Sequence, residues 1–226
     1  MNDCADKALV VLSGGQDSTT CLYWAIDRFG GDQVASVTFD YGQRHRVELD
    51  CARRIADKAG VSNDCLPINT FAALGGDALT DNSISVSDAT GTGTDLPVTF
   101  VAGRNLIFLT FAAAYAYRHD IGHLVTGVAQ TDYSGYPDCR EETIAALQNA
   151  IKLGMDRDLQ IHTPLMHRSK KETVELAVEL GALDTMALTH TCYNGEQPPC
   201  GKCAACELRA RGFAEAGVPD PLLDVQ

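Results

Sequence analysis

Apolar and polar positions fall into two alternating kinds of segment. Ala8 to Leu12 is an unbroken apolar run, the pattern of a strand buried on both faces of a parallel sheet. Val34 to Asp40 (VASVTFD) is β-branched and aromatic and predicts a second strand. Cys65–Ile68, Leu124–Val128 and Leu159–Thr163 predict three shorter ones. Between them the spacing turns helical. Asp17, Ser18, Thr19 and Thr20 open one helix, Val47–Ala59 forms another that stops at Gly60, and Glu141–Leu153 a further one. Asn105–Arg118 is almost wholly apolar, which predicts a helix buried against the flank of the sheet. Ser169 with Glu172 spells a capping box for a helix ending near Gly181. Strands alternating with helices imply right-handed crossovers and an α/β fold on a parallel sheet. Ligands in such sheets sit beyond the C-terminal strand ends. The turn after the first strand and the stretch DYGQRH after the second are therefore expected to face one cleft.

That first turn carries the strongest chemical signal. Ser13-Gly14-Gly15 breaks the strand with two glycines, which permit a tight turn and close approach of a ligand to the backbone. The unpaired N–H groups of the helix start then make an anion cradle, with the Ser13 and Ser18 hydroxyls as added donors. It is not the G-x-x-x-x-G-K-[ST] loop, because the spacing differs and the loop holds no lysine. Read blandly, it is an ordinary strand–turn–helix joint, but S-G-G-x-D-S directly after an apolar strand is more specific than a glycine pair.

One stretch breaks the alternation. Asn82 to Asp95 is rich in Ser, Thr, Asp and Gly without periodicity, which predicts a mobile loop, either a surface insertion or a lid over the cleft. There is no internal repeat and no charge block.

Composition narrows the classes. The 226 residues predict one main domain with a small appendage, and 45% hydrophobic content supports a substantial core. A formal charge of −12 argues against a broad nucleic-acid surface but does not exclude a local basic pocket. The start MNDCADK lacks the basic and apolar regions of a secretory signal. The longest apolar stretch, Leu106–Tyr117, is too short to span a bilayer, so a cytoplasmic protein with no membrane partner is expected. In that compartment nine cysteines point to metal ligation or reduced thiols, not disulfides.

Four of those cysteines, Cys192, Cys200, Cys203 and Cys206, form C-x7-C-x2-C-x2-C, with Pro198, Pro199 and Gly201 shaping the turn. Paired C-x2-C thiolates grip one ion, and four complete a closed tetrahedral site, so zinc in a structural role is expected, with an iron–sulfur cluster as the alternative centre. The chain thus divides into residues 1–186, an α/β domain, and residues 187–226, a Cys4 segment packed on it. Cys21 and Cys51 sit in predicted helices and read as small apolar fillers. Cys139, in PDCR, is a weaker candidate nucleophile.

SGGQDS resembles the pyrophosphatase loop of the ATP-pyrophosphatase (PP-loop) superfamily. SGGQDSTTC, DYGQRH, GRN at Gly103–Asn105, SGYPDCR at Ser134–Arg140 and the CYNG…CGKC tail, in that order, resemble the 7-cyano-7-deazaguanine synthase family across nearly the whole chain. One departure is Ala102 where the family usually has proline before GRN. The resemblance implies a Rossmann-like parallel sheet of the adenine nucleotide alpha-hydrolase kind, with helices on both faces and a C-terminal zinc-binding segment. It implies an ATP-dependent C–N ligase that converts 7-carboxy-7-deazaguanine and ammonia to 7-cyano-7-deazaguanine, a queuosine precursor. It also implies Mg2+, one structural zinc and a homodimer. By position, Leu12, Ser13, Gly14, Gly15, Gln16, Asp17, Ser18, Thr19, Thr20, Cys21 and Leu22 match the ATP segment. Ser13, Asp17, Ser18 and Lys170 would act in catalysis, with Lys170 neutralising the leaving pyrophosphate. A lysine at a helix start opposes the helix dipole, which is a hint of another purpose. Arg44, His45, Arg104 and Arg140 are cleft candidates, and Tyr133, Tyr136 and Asp138 are candidates for stacking on or hydrogen-bonding the deazaguanine. The rival is a tRNA-modifying relative with the same loop, of thiolation or lysidine type, which would need a basic surface for phosphates. A non-catalytic nucleotide-binding or zinc-stapled module would leave SGYPDCR unexplained.

Overall fold

The computed structural model describes residues 6–43, 46–75, 77–80, 84, 96–131 and 135–223. Five parallel strands make one sheet: β1 (Ala8–Val11), β2 (Val34–Asp40), β3 (Ser62–Pro67), β4 (His123–Val125) and β5 (Gln160–His162), in the order β3-β2-β1-β4-β5. The seven α-helices among the described residues are α1 (Gln16–Phe29), α2 (Val47–Ala59), α3 (Phe71–Leu74), α4 (Arg104–Arg118), α5 (Glu141–Met155), α6 (Lys170–Glu179) and α7 (Ala204–Ala216).

The apolar run of β1 explains its central place. Ala8, Val10 and Leu12 enter a cluster with Cys21, Leu22 and Ala25 of α1 and Ala52 and Ile55 of α2, whereas Leu9 enters another with Ala112, Ala113 and Ala116 of α4 and Ile151 of α5. A strand apolar on both sides thus has helices on both faces, as its sequence predicts. The expected reading of Cys21 and Cys51 also holds, since both are buried among these side chains.

The strands predicted with polar neighbours differ in extent. β3 begins at Ser62, because an edge strand tolerates the exposed polar run Ser62-Asn63-Asp64 that hid it in the sequence. β4 and β5 are shorter than predicted. Pairing along β4 stops at Val125, and the chain is then held by Thr126 N–H donating to His162 O at 3.0 Å. It passes close under α1: a Cβ on Gly127 would lie 3.1 Å from Asp17 C and Ser18 N. α4 is buried on one side only. Leu109, Ala112, Ala113 and Ala116 face the sheet, while Phe111 and Tyr117 are half exposed, so a near-continuous apolar sequence here does not mean burial all round.

The strand order reverses between β1 and β4, and this is where an open parallel sheet offers a crevice at its C-terminal edge. The C-terminal segment closes one side of it. α7 packs on α6, and a buried Arg209 ties α7 to its surroundings, with Nε and Nη2 donating to Asp220 at 2.6 and 2.7 Å and Nη1 to Thr189 Oγ1 at 2.7 Å. Nearly all of the predicted loop Asn82–Asp95 lies outside the described residues. No helix among the described residues is long and apolar enough to cross a membrane.

Candidate functional site

The loop after β1 is folded by its own short side chains. Ser13 N–H and Ser13 Oγ both donate to Ser18 Oγ, at 3.2 and 3.1 Å, and Ser18 Oγ donates to Gly15 O at 3.0 Å. Gly14 has φ +85°, and a Cβ there would stand 2.4 Å from Glu48 O, so only glycine lets the loop lie against the first turn of α2. Gly15 precedes α1, and no side chain caps that end. The first turn of the helix therefore has no side-chain cap, the open start that an anion cradle requires. Two side-chain atoms there are buried without a partner among the described residues, Gln16 Nε2 and Asp17 Oδ1. One is a donor and the other an anionic acceptor, which suits a site meant to hold a phosphate chain and its cation.

Lys170 arrives from the other end of the chain. It is the first residue of α6, behind the capping box that Ser169 and Glu172 form as predicted. Its Nζ donates to Asp17 Oδ2 at 2.6 Å, so the lysine stands at the helix start of the loop. The position is enforced by close helix contact. A Cβ on Gly212 of α7 would come 2.9 Å from Lys170 Cβ.

Two adjoining cavities flank this loop. The larger, of about 300 Å³, runs from Ser13, Asp17 and Ser18 across Thr126–Ala129 to Tyr41, Glu48, Arg104, Tyr136 and Cys139. The smaller, of about 160 Å³, shares Ser13, Gly15, Asp17 and Ser18 and adds Gln16, Lys170 and Arg209. Thr191 and Tyr193 line both. The arrangement is an elongated site with a cradle of N–H and hydroxyl groups in the middle, cations at one end and aromatic and ionisable groups at the other.

At the ionisable end, Gly103 (φ +72°) turns the chain into α4, and Arg104 N–H donating to Val101 O at 3.1 Å closes that turn without a proline at Ala102. Arg104 Nη1 donates to Tyr41 Oη at 3.4 Å. Burial opposes the guanidinium charge, but Tyr41, with Asp138 and Tyr136 behind it, holds the group more firmly protonated than usual. Burial pushes Tyr41 and Tyr136 upward and takes Glu48 up to about 7, although Arg104 pulls Glu48 the other way.

The predicted residues divide three ways. Leu12, Ser13, Gly15, Asp17, Ser18, Arg104 and Tyr136 line the larger cavity, and Gln16 and Lys170 the smaller. Gly14 shapes the loop; Thr19, Thr20, Cys21 and Leu22 turn into the core, Thr19 and Thr20 spending their hydroxyls on Gly15 O and Gln16 O. Asp138 is buried and accepts from Asn105 N–H at 3.0 Å, anchoring the start of α4 without lining either cavity. Arg140 is exposed at the start of α5 and lines neither cavity. Arg44, His45 and Tyr133 lie outside the described residues. Tyr41 and Gln43 of DYGQRH line the larger cavity as that stretch was expected to, whereas sequence reasoning missed Glu48, Asn105, Thr191 and Tyr193 as site residues. Glu48 reads in sequence as an acidic residue complementing a helix dipole, and nothing local marks it as a cavity residue.

The four cysteines come together as their spacing predicts. Their Sγ atoms all lie within 4.8 Å of one another, with Cys200 and Cys206 at 3.9 Å. Zinc–sulfur bonds of about 2.3 Å in a tetrahedron require sulfurs about 3.8 Å apart, so the donor set fits zinc. The Cys200 thiol is brought down to about 6 by backbone N–H groups of Lys202 and Cys203, which readies one thiolate ligand, while burial pushes Cys203 and Cys206 up. Deprotonation of those two is then coupled to metal binding.

A parallel sheet whose first strand ends in an uncapped, glycine-bent cradle, faced by a lysine from a distant helix, defines an ATP-using enzyme of the PP-loop class. The chain belongs to the family described as queuosine biosynthesis protein QueC, whose family model matches residues 7–217. A 7-cyano-7-deazaguanine synthase of Chromobacterium violaceum is 68% identical over 225 residues, covering 99% of this chain and 96% of that protein. One of Bacillus subtilis (strain 168) is 49% identical over 212 residues, covering 93% and 94%. Among solved structures, a predicted subunit of a tRNA methyltransferase from Methanocaldococcus jannaschii matches with a TM-score of 0.50 and 18% identity, over 76% of this chain and 74% of that one, a likeness of fold.

Proposed function

We propose that this protein is the ATP-dependent ligase that converts 7-carboxy-7-deazaguanine and ammonia to 7-cyano-7-deazaguanine. The observation that carries the proposal is the continuity of the two cavities across Ser13–Ser18, which lets one ligand chain lie on the cradle while an acid lies beside it. Relatives of that name at 68% and 49% identity along nearly the full chain support it. A charge of −12 speaks against the tRNA-modifying reading.

The chemistry follows from the leaving group. A carboxylate resists ammonia because an oxide would have to leave. Transfer of AMP from ATP to the carboxylate oxygen turns that oxygen into a good leaving group, and ammonia then gives the amide. A second adenylation, on the amide oxygen, allows AMP to depart again as the nitrogen sheds two protons, leaving the nitrile. Two ATP are used per product on the same cradle. The protein's contribution is positioning and charge stabilisation.

We assign the phosphates to the open N–H groups of α1 with Ser13, Ser18 and Gln16, and the departing pyrophosphate to Lys170. Asp17, with its unpartnered Oδ1, would hold Mg2+, which supplies charge neutralisation at the phosphates. Arg104 and Tyr136 form the wall against which the deazaguanine would lie, with Tyr133, Arg44 and His45 as further candidates. Zinc at the four cysteines is structural, because a Cys4 site leaves no open position. Residues 1–186 form the catalytic unit, and 187–226 the segment packed on it. A cytoplasmic homodimer is part of the reading. The exposed Phe111, Tyr117 and Leu153 on α4 and α5 are where a second copy would bury apolar surface.

Mass spectrometry of a mixture of the carboxylate, ammonium, ATP and magnesium tests this. The nitrile with AMP and pyrophosphate is expected. ADP and phosphate, or an unchanged acid, would overturn it.

A further inference from the structure

The reaction needs a base that the cradle does not supply. Ammonia exists at neutral pH mainly as ammonium, which has no lone pair for attack. Nitrogen must also lose two further protons on the way from amide to nitrile. The hydroxyls of Ser13 and Ser18 are engaged with each other, and Lys170 and Arg104 are cations.

One carboxylate in the larger cavity has no assigned work. Glu48 lies in the first turn of α2 and lines the cavity together with Ser13, Arg104 and Tyr41. Neither of its carboxylate oxygens takes a hydrogen bond from any of the described residues. The groups that act on or respond to its charge are Arg104 from α4, Tyr41 from the chain after β2, and Cys51 on its own helix. Its distance from the cradle is fixed, because the Glu48 carbonyl abuts Gly14 so closely that a Cβ there would stand 2.4 Å away. A partly buried carboxylate beside a cradle, in an aromatic and cationic wall, is a place for an ammonium ion and for the proton it must lose.

Resting on the ligase reading, we infer that Glu48 is the catalytic base that captures ammonium and frees ammonia next to the adenylated acid. Its carboxylate takes one proton from ammonium and becomes a neutral carboxyl. The nitrogen lone pair forms the C–N bond, the C–O bond to the adenylyl group breaks, and its electron pair leaves with AMP. The second proton shed by nitrogen passes to water, and the amide remains. In the nitrile step the same carboxylate, returned to its anion by solvent, takes one N–H proton as the C–O bond breaks and the second AMP departs with its electron pair, and the other N–H proton passes to water. Burial lifts the Glu48 carboxyl up to about 7, so near neutral pH it is poised to accept and release a proton.

The test compares two nucleophiles in the full-length protein. Glu48→Gln keeps the shape and loses the base. With ammonium, amide formation should fall about 100-fold or more, and the variant's rate should keep rising with pH towards the pKa of free ammonium while the wild type levels off near pH 7. With hydroxylamine, which is already neutral at pH 7, hydroxamate formation by the variant should stay within about tenfold of wild type. Glu48→Asp should recover part of the ammonium rate. Equal loss with both nucleophiles, or an ammonium rate and pH profile like wild type, would overturn the inference. A wild type that releases no AMP and pyrophosphate with the carboxylate would overturn the ligase reading, and this inference with it.

Discussion

Two walls of the same cavity are built in opposite ways. The Ser13–Ser18 wall is shaped locally: the serine hydroxyl bonds that fold it run between residues at most five apart, and it follows directly from the end of β1. The Thr191–Tyr193 wall is carried in from the far end of the chain. It is held by His190 N–H donating to Gly14 O at 2.9 Å, by Arg209, and by Cys192 lying between its two cavity residues. The first wall depends on glycine and serine identities, whereas the second depends on long-range packing and on a cysteine cluster fit to hold a metal. The C-terminal cysteine cluster is thus more than a tail clip, since Thr191 and Tyr193 flank Cys192 and line both cavities.

That contrast breaks first at the metal. Binding of structural zinc is worth on the order of 10 kcal/mol in small zinc sites. Cys203→Ala should therefore lose zinc and cost more stability than loss of the Arg209 ion pair or of any cradle side chain, with activity falling alongside. Zinc content, melting temperature and turnover of the variant check this; a well-folded, metal-free and active variant would show that the second wall stands without its ion.

Arg209 is the next lever. Its guanidinium is 4% exposed and pairs with an Asp220 side chain 6% exposed. Removing one member of a buried pair costs about 3–5 kcal/mol, so Arg209→Met should be destabilised by that amount in urea melts. Arg209→Met with Asp220→Leu should recover much of it, because no charge is then stranded.

The local wall predicts the reverse signature. Lys170→Ala or Ser13→Ala should lower turnover about 100-fold, or about 2.7 kcal/mol of barrier, with little change in melting temperature. Rates near wild type in both would show that the phosphates lie elsewhere.

The last effect is one of pH on stability and concerns Glu48. Its carboxyl is raised from 4.5 to about 7 by burial, so the folded state binds the proton more tightly than the unfolded state. That proton-linked contribution to stability is complete below pH about 4 and is lost as pH rises to about 7. Glu48→Gln escapes the loss and should be more stable than wild type by about 3 kcal/mol above pH 7, with no difference near pH 4. Denaturant midpoints across that range check the sign, and equal midpoints at every pH would contradict it.

Legibility in the sequence followed the same divide. The β1–loop–α1 unit could be read residue by residue because strand, glycine turn and helix start are contiguous. The cysteine site could be read because metal geometry imposes short spacings. The start of β3 was hidden because a polar edge strand has no apolar signature, and the open side of α4 because an apolar helix does not reveal which face lacks a partner. Glu48, Thr191 and Tyr193 could not be found as site residues, since what makes them so is the close approach of Gly14 to α2 and of His190 to Gly14, contacts between distant segments.

The central claim is that the cradle presents the innermost phosphorus of ATP to an oxygen of the acid. Carboxylate labelled with oxygen-18 at both oxygens tests it directly. The account predicts two AMP per nitrile, each carrying one labelled oxygen, with none in pyrophosphate. Label in inorganic phosphate with ADP as the partner product, or unlabelled AMP, would contradict it.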